Sequence, residues 1–90
     1  MLVNNSGGLP VKDQERDLMR RIVLEMVSKG QVIQNDLEKK AIVTCDPSAT
    51  TNTFKSQLRY LLSNGYINRF SRSIYQITPR GENYLALLAS

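Results

Sequence analysis

At Asn64-Gly65 the rhythm of the chain changes. Before it, Phe54, Leu58, Leu61 and Leu62 recur every three or four residues, the spacing of one helix face. After it, Tyr66-Ile67-Asn68-Arg69-Phe70 and Ile74-Tyr75-Gln76-Ile77 are short, alternating and rich in β-branched and aromatic residues. They read as the two strands of a hairpin that turns at Ser71-Arg72-Ser73. Gly65 suits the left-handed backbone that stops a helix. A helix running directly into a hairpin restricts the chain to α+β arrangements.

The remaining elements follow from the same two periods. With 90 residues the chain is a single domain. Residues 1–12 cluster Asn4, Asn5, Ser6, Gly7, Gly8 and Pro10 without an apolar period and are expected to form a flexible arm, leaving 13–90 as the domain. From Asp13 to Lys29, Leu18, Ile22 and Met26 form one apolar row and Met19, Val23 and Val27 the next, with Asp13 as cap and Gly30 as stop. Arg16, Arg20 and Arg21 fall off that stripe and read as solvated surface; Leu24 also falls off it. Val32-Ile33 reads as one arm of a small sheet. Asn35 and Glu38 have the spacing of a capping box for a short helix over about 35–42. Asp46-Pro47, with Ser48 as a rival cap, opens a third helix over about 47–63. Thr78-Pro79 opens a fourth that ends near Ala89 and offers Tyr84, Leu85 and Leu88 to the core. The expected order is helix, short strand, helix, helix, strand, strand, helix.

Composition then excludes several classes of function. One cysteine, Cys45, and no histidine leave no zinc finger, no disulfide scaffold and no histidine acid/base chemistry. A lone cysteine in a connecting loop reads as inert rather than redox-sensing. The longest apolar run, Tyr84 to Ala89, falls far short of the roughly 20 residues of a membrane span. The opening Met1-Leu2-Val3-Asn4-Asn5 lacks the basic start and apolar stretch of a secretory signal. A cytoplasmic, nucleoid-associated protein without a membrane partner is expected. Asp13, Glu15 and Asp17 are accounted for by the positive end of the first helix. With no phosphate-cradling glycine loop and no nucleophile beside a base, the expectation is a non-enzyme without metal or cofactor.

Charge is unevenly divided. Through Asp46, seven basic residues face seven acidic ones; beyond it Lys55, Arg59, Arg69, Arg72 and Arg80 stand against Glu82 alone, so the whole net charge of +4 lies in the second half. The outer face of the third helix holds Thr51, Asn52, Lys55, Ser56 and Arg59 and contains no acid. A one-sided positive field suggests a polyanionic partner.

The segments Leu61-Leu62-Ser63-Asn64-Gly65-Tyr66-Ile67-Asn68-Arg69 and Tyr75-Gln76-Ile77-Thr78-Pro79-Arg80-Gly81-Glu82-Asn83-Tyr84-Leu85 resemble the junctions of winged helix-turn-helix domains. They are similar to the runs that lead into and out of the wing in MarR-, PadR- and ArsR-like regulators. This resemblance covers roughly residues 13–89. It implies an α+β, mainly helical fold with a three-helix core, a two-stranded β-wing and a C-terminal helix. It further implies sequence-specific binding of double-stranded DNA by a small transcriptional regulator, the third helix in the major groove and wing 66–77 on the backbone. The groove-facing set would be Thr51, Asn52, Lys55, Ser56 and Arg59, with Asn52 on adenine and Lys55 or Arg59 on guanine. Arg69 and Arg72 would touch the phosphate backbone or reach into the adjacent minor groove, and the short wing favours phosphate contact. For Thr50, Thr51 and Thr53 two roles stand, phosphate contact or helix capping and solvation.

A homodimer is expected through helix 1, helix 4 or the amino-terminal arm, with Leu24 and Leu87 as apolar residues left outside the core stripes. Two alternatives share these features: a winged-helix protein-interaction module, and a replication or partition accessory that binds DNA. Tyr66, Tyr75, Ile67 and Ile77 are expected to cover the core, while aromatics beside basic residues could also stack single-stranded bases.

Overall fold

The structure is a computed structural model describing residues 11–30, 32–45 and 47–89, with side chains from Gln14 onward. The chain forms helices α1 (Val11–Ser28), α2 (Gln34–Thr44), α3 (Thr51–Ser63) and α4 (Pro79–Ala89) and strands β1 (Val32–Ile33), β2 (Ile67–Ser71) and β3 (Ile74–Ile77). The order is the one the two apolar periods give, and the fold is α+β, mainly helical and winged-helix-like.

The hairpin is not alone in its sheet. The strand order is β1-β3-β2, antiparallel throughout, with Val32 paired to Tyr75 and Ile33 to Ile74. The two-stranded wing is thus completed by the short strand before α2. Between β2 and β3 the register runs Ile67 to Ile77 and Arg69 to Tyr75, then shifts at a bulge so that Ser71 meets Ile74. Phe70, the extra residue there, is 59% exposed.

α1 is the central element, packing against α2, α3, α4 and β3. Met19, Val23, Leu24 and Val27 are buried with Leu37, Phe54, Leu61, Ile67 and Tyr75. Neighbours on several sides widen the buried arc of α1 beyond a single stripe. Three expectations change. Leu24 is fully buried rather than left for a subunit contact. Arg20 is not solvated: only 13% of its side chain is exposed. Leu18, placed in the stripe by its spacing, is instead 37% exposed.

Helix boundaries move for identifiable reasons. α1 starts at Val11, so the last two positions expected in the arm are helical; the first ten lie outside the described residues. α2 starts directly after β1, with Ile33 at its cap and no side-chain cap bond. The Gln34 amide donates to the Ser73 carbonyl at 2.7 Å, so the hairpin satisfies the first amide of α2, while Asn35 lies inside the first turn rather than at the cap. α3 starts at Thr51 rather than near Pro47, which lies in a turn; Asp46 is outside the described residues. The turn is held by α1, where the Glu15 carboxylate accepts from Ser48 Oγ at 2.6 Å and Thr53 Oγ1 at 3.4 Å.

The end of α3 follows the expected stop. Gly65 has φ +76°, its amide bonds Leu62 O at 3.2 Å, and the Tyr66 amide bonds Leu61 O at 2.9 Å. These two bonds make a Schellman closure. It delivers the chain straight into β2. At the other end of the hairpin Thr78 Oγ1 accepts the Gly81 amide at 3.0 Å, capping α4. Its proton is shared between Gly65 O at 2.7 Å and Tyr66 O at 3.0 Å, which joins both hairpin junctions. At Gly81 an added Cβ would run into the Tyr66 carbonyl and lie 2.9 Å from Ile77 Cγ1. Only glycine lets α4 approach the start of β2 this closely.

Candidate nucleic-acid interface

α3 separates two kinds of residue by its own turn. Phe54, Gln57, Leu58 and Leu61 are buried, while Thr51, Asn52, Lys55, Ser56 and Arg59 are exposed. Asn52, Lys55, Ser56 and Arg59 make no side-chain hydrogen bond or ion pair among the described residues, so their donors face outward together. Thr51 differs. Its hydroxyl lies 3.5 Å from Glu38 Oε2 on α2, which places a carboxylate at the rim of an otherwise acid-free face.

The threonines before and inside the first turn have structural work. Thr50 Oγ1 accepts the Thr53 amide at 3.3 Å as the cap of α3. Thr53 in turn reaches Glu15. The first bond satisfies one of the orphan amides at the helix start, and the second ties that start to α1.

A cation that periodicity does not mark mounts α3 on the rest of the chain. Arg20 Nε donates to Gln57 Oε1 at 2.7 Å, and Arg20 Nη1 donates to the Tyr84 hydroxyl at 3.2 Å. Its guanidinium also covers the Tyr60 ring, with Asp17 Oδ1 4.0 Å from Nη1. Planar geometry and several donors let one arginine serve α1, α3 and α4 at once. The signal for it in the sequence is Gln57, which follows Phe54 by three and precedes Leu61 by four. An amide in that inward arc needs a buried partner.

Tyrosines continue the cluster. The rings of Tyr66 and Tyr84 stack with centres 4.3 Å apart at 17°, and Tyr60 is tilted against Tyr66 at 6.2 Å. Arg80 lies 5.4 Å from the Tyr66 ring centre. These ring faces are occupied by one another and by arginines, which opposes the stacking of single-stranded bases there. Burial pushes the Tyr84 phenol above its ordinary value, against the opposing pull of Arg20.

The hairpin carries a second basic group. Arg69 is exposed on β2 opposite Tyr75, with its guanidinium 5.9 Å from that ring. Arg72 is exposed in the two-residue turn Arg72-Ser73. Among the described residues no hydrogen bond joins either arginine to the α3 set. Cys45, 8% exposed, ends α2 with its amide on Ala41 O at 3.0 Å. No cluster of three or more Cys, Asp or Glu side chains suited to a metal occurs among the described residues. No described helix is long and apolar enough to cross a membrane.

No protein-family model matches the sequence, and no curated protein matches it either. Solved structures do match. The structure of smu.1704 from Streptococcus mutans UA159 is similar with a TM-score of 0.72 at 22% identity, covering 82% of this chain and 74% of that one. A transcriptional regulator from Clostridium thermocellum Cth-833 is similar with a TM-score of 0.71 at 23% identity, covering 90% of this chain and 85% of that one. Identities this low speak to architecture rather than activity. The chain thus shares the fold of a bacterial transcriptional regulator over most of both lengths.

Proposed function

We propose that this chain binds double-stranded DNA sequence-specifically and acts as a small transcriptional regulator. The observation that carries this reading is the exposed face of α3, where Asn52, Lys55, Ser56 and Arg59 present hydrogen-bonding and cationic groups without an acid among them. The major groove is about 12 Å wide, admits one helix, and offers base-edge donors and acceptors to such side chains. The fold shared with the Cth-833 regulator supports the same reading.

In this reading Asn52 pairs with adenine, and Lys55 or Arg59 with guanine. Arg72 at the hairpin tip and Arg69 beside it meet phosphates, which positions α3 without reading sequence. Thr51 joins the groove-facing set at its edge, where Glu38 holds its hydroxyl and repels a nearby phosphate. No catalytic role is assigned, and the protein works in the cytoplasm on the nucleoid.

A second copy completes the footprint, because one small domain covers too few base pairs for tight specific binding. The α1–α4 surface supports that partner: Leu87 is 73% and Leu18 37% exposed beside a groove of about 410 Å³. With Leu24 buried, Leu18 takes its place as the α1 contribution. Light scattering on the purified chain reads the mass directly, and a monomer at micromolar concentration would remove this part of the reading.

Anisotropy titrations against mixed duplex DNA across a salt series test the main proposal. Wild type is expected to lose affinity steeply with salt. The Lys55→Ala/Arg59→Ala double mutant loses the guanine contact together with the charge of the other cation, which faces phosphate, and flattens the log–log slope by roughly 0.9. No binding by wild type even at low salt overturns the DNA reading.

A further inference from the structure

A second surface lies on the far side of α2 from the proposed DNA-binding face. Two open grooves, of about 480 and 330 Å³, meet at Met26 and Lys40. Together they form one trough between the end of α1, β1 and the outer side of α2. Apolar side chains stand at both its ends: Ile33 is 51% exposed and Val43 is 84% exposed. Ten residues of helix rise place those ends roughly 15 Å apart.

The rim is basic. Lys29 and Lys40 line the larger groove, and Lys39 and Lys40 the smaller. None of the three makes an ion pair among the described residues. The single acid lining the trough, Asp36, sits in the first turn of α2, where the helix dipole accounts for it. Glu38, which reaches toward α3, points the other way: Val43 lies roughly 140° around the helix from it.

We propose that this trough docks an acidic amphipathic helix of another protein. Its apolar side chains cover Ile33, Met26 and Val43, and its carboxylates meet Lys29, Lys39 and Lys40. A trough roughly 15 Å long matches about ten residues of helix, the ordinary scale of helix-in-groove recognition. Burial of the apolar ends supplies affinity, while the lysines select the sign and orientation of the partner.

Two other occupants fit the chemistry less well. A DNA backbone would satisfy the lysines but leave Val43 and Ile33 against phosphate, gaining nothing from their burial. A second copy of this chain would have to offer its acid-rich segment at the start of α1. There Glu15 is already engaged by Ser48 and Thr53. The proposal uses none of the residues assigned to DNA, so it stands or falls apart from that reading.

The test is selection of helical peptides from a displayed 12-residue library on the immobilised whole chain, followed by anisotropy with the selected peptide. Apolar residues at three- and four-residue spacing with Asp or Glu between them are expected among the peptides recovered. Binding should weaken at least about tenfold, a change readily resolved in such titrations, in Val43→Glu and in Lys40→Glu separately. It should be unchanged in Lys55→Ala/Arg59→Ala, which reports on DNA alone. Val43 is almost fully exposed, so its variant should melt as wild type does, and Lys40→Glu supplies an independent check. Enrichment no better than on bare support, recovered peptides without acids, or binding by either trough variant as tight as that of wild type overturns the proposal.

Discussion

The guanidinium carbon of Arg20 sits 3.5 Å from the centre of the Tyr60 ring, joining the first helix to the third. The same side chain holds Gln57 and Tyr84, so its removal strips partners from two helices at once. Gln57 is only 9% exposed and would be left with an unsatisfied amide oxygen. Arg20→Met is expected to cost about 2–3 kcal/mol from the missing stack and the orphaned acceptor. Arg20→Lys keeps the charge but not the fork or the planar face, and should lose less. Thermal melts check this, with roughly 4–8 °C per kcal/mol expected for a domain of this size. An unchanged melt in Arg20→Met would mean that the cluster contributes nothing net.

Gly81→Ala should be among the most damaging single-methyl changes in the chain. The new Cβ meets the Tyr66 carbonyl, a backbone atom already committed to Thr78. Relief requires α4 to withdraw from β2, at a cost on the order of 2–4 kcal/mol. Thr78→Val keeps the shape of the cap and removes its bonds, for a smaller loss of about 1–2 kcal/mol. Urea unfolding of the two variants gives the comparison. Equal stability of wild type and Gly81→Ala would contradict the close approach.

Tyr84 gives a pH dependence whose sign is fixed. Burial raises its folded-state pKa above the unfolded value near 10, so the folded chain keeps the phenol proton longer. The stability linked to this group is complete below about pH 10 and declines as pH rises through the folded value. Tyr84→Phe removes that part of the decline, at the cost near neutrality of the bond to Arg20. Melting temperature against pH, from about pH 8 to about pH 11, should therefore fall less steeply in Tyr84→Phe. Parallel curves for the two proteins would count against a buried phenol.

Reading and positioning should separate by mutation. Asn52→Ala is expected to relax discrimination at one base pair by about 1–3 kcal/mol while leaving the salt slope nearly as it was. Arg72→Ala should weaken binding to every sequence alike and lower the slope by roughly 0.9. Competition titrations with single-substituted duplexes distinguish the two patterns. The same pattern from both variants would overturn the division of roles between α3 and the hairpin.

The sequence shows much of this fold because its main signals are local. Asn64-Gly65 marks the end of α3, Thr78-Pro79 the start of α4, and the alternation on either side of Arg72 the hairpin. Each depends on backbone preferences within a few residues. The exposed set on α3 is legible for the same reason, since periodicity alone puts Asn52, Lys55, Ser56 and Arg59 opposite Phe54 and Leu58.

What stays hidden depends on how many neighbours an element has. A single stripe suits a helix packed on one side, whereas α1 is surrounded, so Leu24 and Arg20 are drawn inward. The start of α3 shifts to Thr51 because Glu15 anchors the preceding turn from α1, a contact between distant segments. Asn35 falls inside α2 for a similar reason, since the distant Ser73 carbonyl holds the Gln34 amide and lets the helix start there. Glu38 at the rim of the α3 face also becomes visible only when two helices are set side by side.

The short ladder between β1 and β3 sets an order of events during synthesis. Val32 pairs with Tyr75 and Ile33 with Ile74, so β1 leaves the ribosome well before its partner β3. Until Tyr75 emerges, the edge of β1 has no partner and the start of α2 lacks the carbonyl that receives Gln34. A growing chain can form α1 early, but its sheet closes only once both strands of the hairpin have emerged. Fragments cut anywhere between these two strands should therefore behave as loose helices rather than as a smaller version of the domain.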